Sequence, residues 1–461
     1  MSGDHRVEML QGGMVRAILG LGIPLALASV VQTLYNLADA FWLGKLGSSA
    51  LAAPVISFNI IFFIISLGMG FSVAGTSLVS QYMGSGNAEQ ARRAAGNLFS
   101  YMVGFSIFFV AVGLIWARDF LVLLRTPPEA LQQTLDYYRI MVIGMPAAFP
   151  FFVYRAVMNG YGDTRSPLRI ELISAGMNLI LDPILIFGWL GMPVLGVSGA
   201  ALATVLSRAV ASGMGMWRFF RPNQGFFLRP RHLLPGWDLF SLMVRIGIPS
   251  SIGMSGASLG FLVLMGIVNR FGTEVVSAYG ITIRVVHLFM MPAIGVSQAV
   301  TAIVGQNLGA GNVARARLAV NRGMRMVLGV LLPTMLATAF SGRWIIGIFI
   351  AAEPEVMALG QPIFRLVAPS VIFFAVVVML NGVFQGAGHT LPVMFTNLSR
   401  IWIFRVPLVY YLAMVWLGGP GQPGAALGIW WGMLVSNALT AALMGSLYLR
   451  GNWTVPRIHS A

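Results

Sequence analysis

Residues 70–94 read GFSVAGTSLVSQYMGSGNAEQARRA, and residues 295–319 read GVSQAVTAIVGQNLGAGNVARARLA. The two segments align without a gap at an offset of 225 residues, and about half of the aligned positions are identical. The same offset pairs Gly22-Ile23-Pro24 with Gly247-Ile248-Pro249. A repeat of this length is too long for a solenoid unit and indicates a duplicated domain. In membrane proteins such a duplication is typical of transporters, whose substrate path runs between the halves.

The composition indicates a membrane-embedded chain. Hydrophobic residues make up 57% of the sequence and charged residues 9%, whereas soluble domains carry roughly 25% charged residues. Apolar runs recur along the whole chain, so a signal peptide does not explain them. The absence of cysteine excludes disulfides, thiolate metal sites and cysteine nucleophiles. The positive charge is almost all arginine, which in a membrane protein favours loop topology over nucleic-acid binding.

The apolar runs predict twelve membrane-spanning helices, since about 20 apolar residues cross a bilayer. Their approximate bounds are 15–44, 50–79, 92–117, 131–158, 167–189, 194–218, 239–269, 275–304, 315–341, 356–384, 391–417 and 422–448. The longest internal connection lies at the midpoint, so we predict an N-terminal six-helix lobe (1–218), a linker (219–237) and a C-terminal six-helix lobe (238–461). Because six spans per half is an even number, the repeats of this all-α polytopic protein are parallel.

The placement of arginine predicts the orientation. The loops and tails on one side carry most of the arginines, whereas the opposite side carries only Lys45, Arg118, Arg125, Arg270 and Arg343. By the positive-inside rule the arginine-rich side is cytoplasmic. We therefore expect a multi-pass protein of the cytoplasmic (inner) membrane, with both termini and the linker inside and with the lipid bilayer as its surroundings. We expect a monomer.

Two acidic residues lie deep in predicted spans, where a charged side chain is costly and indicates a function. Asp39 precedes Gly44 by five residues in the first span, and Asp182 precedes Gly188 by six in the fifth. At 1.5 Å per residue both carboxyl groups lie roughly 8 Å below the outer boundary, so we expect them to share a cavity. Their neighbours on the same helix faces are polar: Gln32, Tyr35, Asn36 and Asn178.

The second half lacks this polar cluster. The offset of 225 takes Gln32, Asn36 and Asp39 to Ala257, Phe261 and Leu264, and the equivalent of Asp182 falls near Arg405 and Val406. The predicted spans 239–269 and 356–384 contain no acid. We therefore place the ion-handling chemistry in the N-terminal half.

Six short motifs occur in order along the chain: YNLAD at 35–39, QYMG at 81–84, GYGDT at 160–164, GAALAT at 199–204, QNLGAG at 306–311 and GAGHT at 386–390. Over nearly its whole length the chain thereby resembles the MATE family of multidrug and toxin extrusion transporters. The resemblance implies two lobes forming a V around a central cavity, and exchange of cationic, often aromatic drugs for Na⁺ or H⁺. NorM-like members carry acids in spans seven and ten. This chain has none there, so it is similar to the DinF-like branch, where the aspartates of spans one and five handle the coupling ion.

The resemblance also implies which residues form the site. The coupling-ion site implied for this chain consists of Gln32, Asp39, Asn178, Asp182 and Thr204. Possible cavity-lining residues are Tyr35, Asn36, a span-four tyrosine (Tyr138, or its neighbour Tyr137), Asn159, Arg284 and Arg405. For the two arginines a structural role is equally compatible with the sequence. We expect no cofactor, and no metal other than Na⁺ if it is the ion held by Asp39 and Asp182.

The sequence thus predicts a secondary active antiporter, not an enzyme, that exports cationic or amphipathic drugs and toxins by alternating access. Carboxylate, amide and hydroxyl groups suit H⁺ and Na⁺ equally, so the coupling ion stays open. One alternative is a lipid-linked sugar flippase of the same superfamily, which Arg284 and Arg405 keep open. A remote alternative is a membrane-embedded lipid-processing enzyme. That chemistry normally needs clustered acids or a His and carboxylate set, whereas we expect Asp39 and Asp182, one per helix, to be the only deep acids.

Overall fold

The computed structural model describes residues 9–459 except 125, 223–224, 350–353 and 423, and this part of the chain is nearly all helical. The long helices are α1 Met14–Gly44, α2 Ser48–Gly84, α3 Ala88–Ile115, α4 Pro128–Ile143, α5 Met145–Tyr161, α6 Arg165–Phe187, α7 Val197–Phe220, α8 Trp237–Val268, α9 Thr273–Gly309, α10 Val313–Phe349, α11 Pro354–Gly386, α12 Thr390–Trp416 and α13 Leu427–Leu449, and a short helix, Ala117–Leu123, follows α3. Helices α4 and α5 are bent by 50° against each other and form one span, and the other long helices are each long and apolar enough to cross a membrane. The twelve predicted spans are confirmed.

The repeated motif builds the same turn in both halves. Between α2 and α3, Gly86 has φ 82°, and between α9 and α10, Gly311 has φ 74°, a left-handed conformation that glycine adopts without strain. Asn87 and Asn312 then begin the next helix. The side-chain oxygen of each accepts a hydrogen bond of 3.1 Å from the backbone N–H three residues later, the usual role of asparagine at a helix start.

The first helix of each repeat starts in the core of the other half. Ala17 and Ile18 of α1 are buried among residues of α9 and later helices. Their counterparts at offset 225, Leu242 and Met243 of α8, are buried in the core of the N-terminal half. The predicted linker therefore separates the repeats along the chain, whereas in space α1 and α8 each connect the two halves.

Helices α2 and α9 meet closely at the end of the bundle that carries the termini. A Cβ atom on Gly84 would lie 1.9 Å from the carbonyl oxygen of Gln306, and one on Gly309 would lie 2.0 Å from that of Gln81. The side chains of Gln81 and Gln306 each donate a hydrogen bond of 2.9 Å to a backbone carbonyl of the other half. This symmetrical contact joins the two halves at one end.

The halves separate toward the opposite end, which gives the V. In the part of the chain that the structure describes, the hydrogen bonds between the halves lie from the middle of the bundle to the end with the termini. The outermost of them joins Ser66, halfway along α2, to Ser255 of α8. The C-terminal ends of α1 and α6 lie beyond this level, in the open part of the V.

The linker is packed onto the N-terminal half. The side chain of Asn97 on α3 donates hydrogen bonds to the carbonyl oxygens of His232 and Leu234, at 3.1 and 2.9 Å. Glu89, at the start of α3, forms an ion pair of 2.7 Å with Arg231. These contacts fix the connection between the two repeats.

Candidate functional site

The carboxyl groups of Asp39 on α1 and Asp182 on α6 lie against each other. The Asn178 amide donates to Oδ1 of Asp182 at 3.3 Å, and Asp39 is in contact with both Asp182 and Asn178. Asp182 and Asn178 are fully buried. Oδ1 of Asp39 and Oδ2 of Asp182 are buried without a hydrogen-bond donor among the described residues. Two ionised carboxylates this close repel each other, so the pair is suited to hold a proton or a small cation.

Local sequence explains why Asp182 is positioned so near the open end of the V. Helix α6 continues through Pro183 without a break and ends at Phe187. Gly188 follows with φ 74°, which terminates the helix in a left-handed turn. Pro183 has no N–H, so the carbonyl of Leu179 loses its helical donor. The helix adds one polar carbonyl near the carboxyl pair without unwinding.

Tyrosine and threonine hydroxyls complete the immediate surroundings. Tyr35 is 7% exposed, and its hydroxyl faces Thr204 on α7. Of the two tyrosines in α4, Tyr137 lies near both carboxyl groups and packs against the cluster that contains Leu43 and Ile186. Tyr138 is fully buried in the core of the N-terminal half and packs against Val142. The structure thus brings Thr204 and Tyr35 to the site and places Tyr137 there rather than Tyr138.

An arginine that sequence reasoning missed connects the predicted polar residues. Arg208 on α7 donates a hydrogen bond of 2.6 Å to Oε1 of Gln32, and Gln32 donates one of 3.1 Å to Asn36. The Arg208 guanidinium also lies 5.1 Å from the centre of the Tyr35 ring, within the range of a cation–π interaction. Arg208 therefore places a positive charge beside the carboxyl pair.

A third buried acid was also missed. Glu171 on α6 is 3% exposed and lies 3.8 Å from both Arg155 and Arg208. The expectation that Asp39 and Asp182 are the only deep acids is therefore wrong. The predicted span 167–189 begins only four residues before Glu171, so the sequence placed this acid near the edge of a span. Its burial arises from α5 and α7, which pack against that edge.

The family model of MatE matches residues 24–184 and 249–411, one segment in each repeat. The chain belongs to the MatE family. It is 28% identical over 452 residues to the probable multidrug resistance protein YpnP of Bacillus subtilis, covering 98% of both chains. It is 27% identical to the probable multidrug resistance protein NorM of Thermotoga maritima, covering 95% of this chain and 93% of that one.

Solved MATE structures show the same fold. A MATE in the bent conformation superimposes with a TM-score of 0.88 at 23% identity, covering 99% of both chains. An outward-facing multidrug resistance MATE family transporter of the MOP superfamily gives 0.87 at 24% identity, covering 97% of this chain and 98% of that one. The family model and the multidrug resistance relatives, together with the long apolar helices, make this MatE protein a multi-pass membrane protein of a multidrug efflux transporter family, not an enzyme. Substrates of such transporters are small organic compounds.

The remaining predicted residues of this MatE protein lie away from the carboxyl pair. Asn159 is two residues from the end of α5, on the side of the termini, and Asp182 is about 25 Å further along α6 from that end. Arg284 is exposed on α9. Arg405 is 2% exposed and lies inside the C-terminal half, where it donates to Ser436 at 3.1 Å. These three residues do not join the N-terminal site.

Proposed function

We propose that this protein is a secondary active antiporter that exports cationic or amphipathic organic compounds in exchange for H⁺ or Na⁺. The buried pair of Asp39 and Asp182 carries the proposal, because its unpartnered oxygens need a proton or cation. We place the protein in the cytoplasmic membrane, with both termini inside, and we propose that it works as a monomer. The pair faces the open end of the V, which under this orientation is the outside.

Helix α1 provides a physical link between ion binding and movement of the lobes. Its outer part carries Asp39, and its first part, around Ile18, is buried in the core of the other half. A proton or Na⁺ removes the repulsion between Asp39 and Asp182 and lets α1 pack closely on α6. Without the ion the carboxylates separate, and α1 transmits that movement to the C-terminal half. An ion shifts such an equilibrium only by its different affinity for the two states.

The test is dye transport by purified protein in liposomes, driven by an imposed proton gradient or an imposed sodium gradient. We expect one of these two gradients to drive ethidium across the membrane in the direction opposite to the flow of the ion. Asp39→Asn should abolish gradient-driven movement, because an amide cannot exchange a proton and attracts Na⁺ weakly. Asp119→Asn is the matched control, since Asp119 is exposed outside the long helices and should transport normally.

Two results would overturn the proposal. One is full gradient-driven transport by Asp39→Asn at normal protein content. The other is movement of a labelled lipid-linked sugar across the vesicle membrane without any ethidium transport, which would assign the protein to the flippases instead.

A further inference from the structure

Helix α12 in the C-terminal half contains two buried arginines. Arg400 is 6% exposed and Arg405 is 2% exposed. Arg400 lies ten residues from the start of α12 and Arg405 eleven residues from its end, so both are about 15 Å inside the span. At that depth a charged side chain is costly and calls for a partner.

The backbone of α12 brings the two arginines to one side of the helix. Residues Ser399–Arg405 form a π-helix, in which the N–H of residue i+5 bonds to the carbonyl of residue i. Arg405 therefore lies one turn above Arg400. In an α-helix, residues five apart point about 140° away from each other. Short π-helical segments are rare and occur frequently at functional sites.

The partners of Arg405 are neutral. Its Nε donates to the Ser436 hydroxyl at 3.1 Å, and a terminal nitrogen donates to Oδ1 of Asn437 at 2.6 Å. The guanidinium lies 5.8 Å from the centre of the Phe261 ring. Asn437 is held in turn by Ser370, whose hydroxyl accepts a hydrogen bond of 2.9 Å. The surroundings orient Arg405 without neutralising it.

Arg400 has even less support from the protein. Its Nε is buried without a hydrogen-bond partner among the described residues, and its guanidinium lies 4.7 Å from the centre of the Phe374 ring. No acidic residue follows position 355 in the sequence, and within the described part of the chain neither arginine belongs to a salt bridge. In the N-terminal half, by contrast, Arg155 and Arg208 share Glu171.

We propose that Arg400 and Arg405 form a binding site for the carboxylate or phosphate group of an amphipathic compound. Two like charges that are buried without a counter-charge destabilise a protein. A bound anion would provide the missing negative charge. Guanidinium groups bind carboxylate and phosphate oxygens through paired hydrogen bonds, and the rings of Phe261 and Phe374 provide an apolar surface beside them. Phe261 is 37% exposed, so the site is reachable past this ring. That the bound compound is also a transported substrate rests on the proposed antiport function. Its binding to the two arginines does not depend on that function.

The test is direct binding to the purified full-length protein in neutral detergent, with dansylglycine as the anionic probe and dansylglycinamide as its neutral match. Arg400→Gln and Arg405→Gln should each weaken dansylglycine binding about ten- to hundred-fold, as expected for a lost hydrogen bond to a charged group. Binding of dansylglycinamide should not change. Arg343→Gln removes an exposed arginine of α10 in the same half and should bind both probes normally.

A thermal unfolding measurement checks separately that the arginine variants are folded. Arg405→Gln breaks two hydrogen bonds, whereas Nε of Arg400 makes none, so Arg400→Gln should unfold at the same temperature as the parent protein or higher. Unchanged dansylglycine binding in folded Arg400→Gln would overturn the proposal. Equal weakening of the anionic and neutral probes would also overturn it, because the arginines would then only shape the cavity.

The source of the anion is resolved by competition. Displacement of dansylglycine by phosphatidylglycerol, but not by phosphatidylcholine, would support the site with a lipid phosphate as its occupant. Displacement by soluble organic carboxylates alone would support it with a soluble occupant. Asp39→Asn should still bind dansylglycine. In the parent protein, dansylglycine binding without any gradient-driven ethidium transport would overturn the antiport proposal alone. Ethidium transport without arginine-dependent dansylglycine binding would overturn this site alone.

Discussion

Asp39 and Leu264 occupy the same position of the duplicated scaffold, one in each half, yet their surroundings are opposite in character. Asp39 lies against Asp182 with an unpartnered oxygen, whereas Leu264 is fully buried in an apolar core. The equivalent of Asp182 falls beside Arg405, so at this second position one half has an acid and the other has an arginine nearby. The matched residues are those at turns and close helix crossings. Duplication has therefore kept the packing and left the interior of each half free to change its charge.

The largest effect on stability is expected where α2 and α9 cross most closely, at Gly84 and Gly309. Gly84→Ala and Gly309→Ala should each destabilise the protein by at least about 3 kcal/mol or prevent folding, because the new methyl group overlaps a backbone carbonyl that cannot move aside. Thermal unfolding in detergent and the yield of monodisperse protein measure this. Gly104→Ala and Gly266→Ala are the controls, since nothing lies within 4 Å of a Cβ there. A large effect at only one of the two crossing glycines would show that the halves are not equivalent.

The interiors of the two halves are compared by placing asparagine at the two aligned positions, 39 and 264. Leu264→Asn should lower the free energy of unfolding by about 2–4 kcal/mol, because it buries an amide in an apolar core. Asp39→Asn should change it by less than about 1 kcal/mol or raise it, because it removes a carboxylate that repels Asp182. Thermal unfolding at neutral pH measures both. Equal losses would mean that Asp39 is a structural residue like its counterpart.

The smallest expected effect concerns the charge beside the carboxyl pair. Glu171→Gln removes the counter-charge that Arg208 shares with Arg155, so Arg208 acts more strongly on Asp39. A stronger positive charge favours the ionised pair and disfavours uptake of a proton or Na⁺. Half-maximal transport should therefore need about ten-fold more of the coupling ion. Glu129→Gln, at an exposed helix start, is the control, and an unchanged ion dependence in Glu171→Gln would separate this cluster from the ion site.

Much of the fold and the centre of the site followed from local features of the sequence. The length of each apolar run determines whether a helix spans the membrane, and the spacing of Asp39 and Asp182 from the span ends determines their depth. Tyr138 shows the limit of such reasoning. It is adjacent to Tyr137, but neighbours in an α-helix point about 100° apart. Which of the two faces the acids depends on how α4 is rotated against α1 and α6.

The amino-acid sequence by itself determined the helices, the parallel repeat and the half of the molecule that holds the acid pair, because hydrophobic length, periodicity and identity at a fixed offset are properties of the chain. Only the tertiary structure decided which charges meet. Glu171 gains Arg155 and Arg208 from two other helices, and a π-helical segment aligns Arg400 with Arg405. Side-chain pairing across helices depends on their lateral arrangement and rotation, and these are set by packing of the whole bundle.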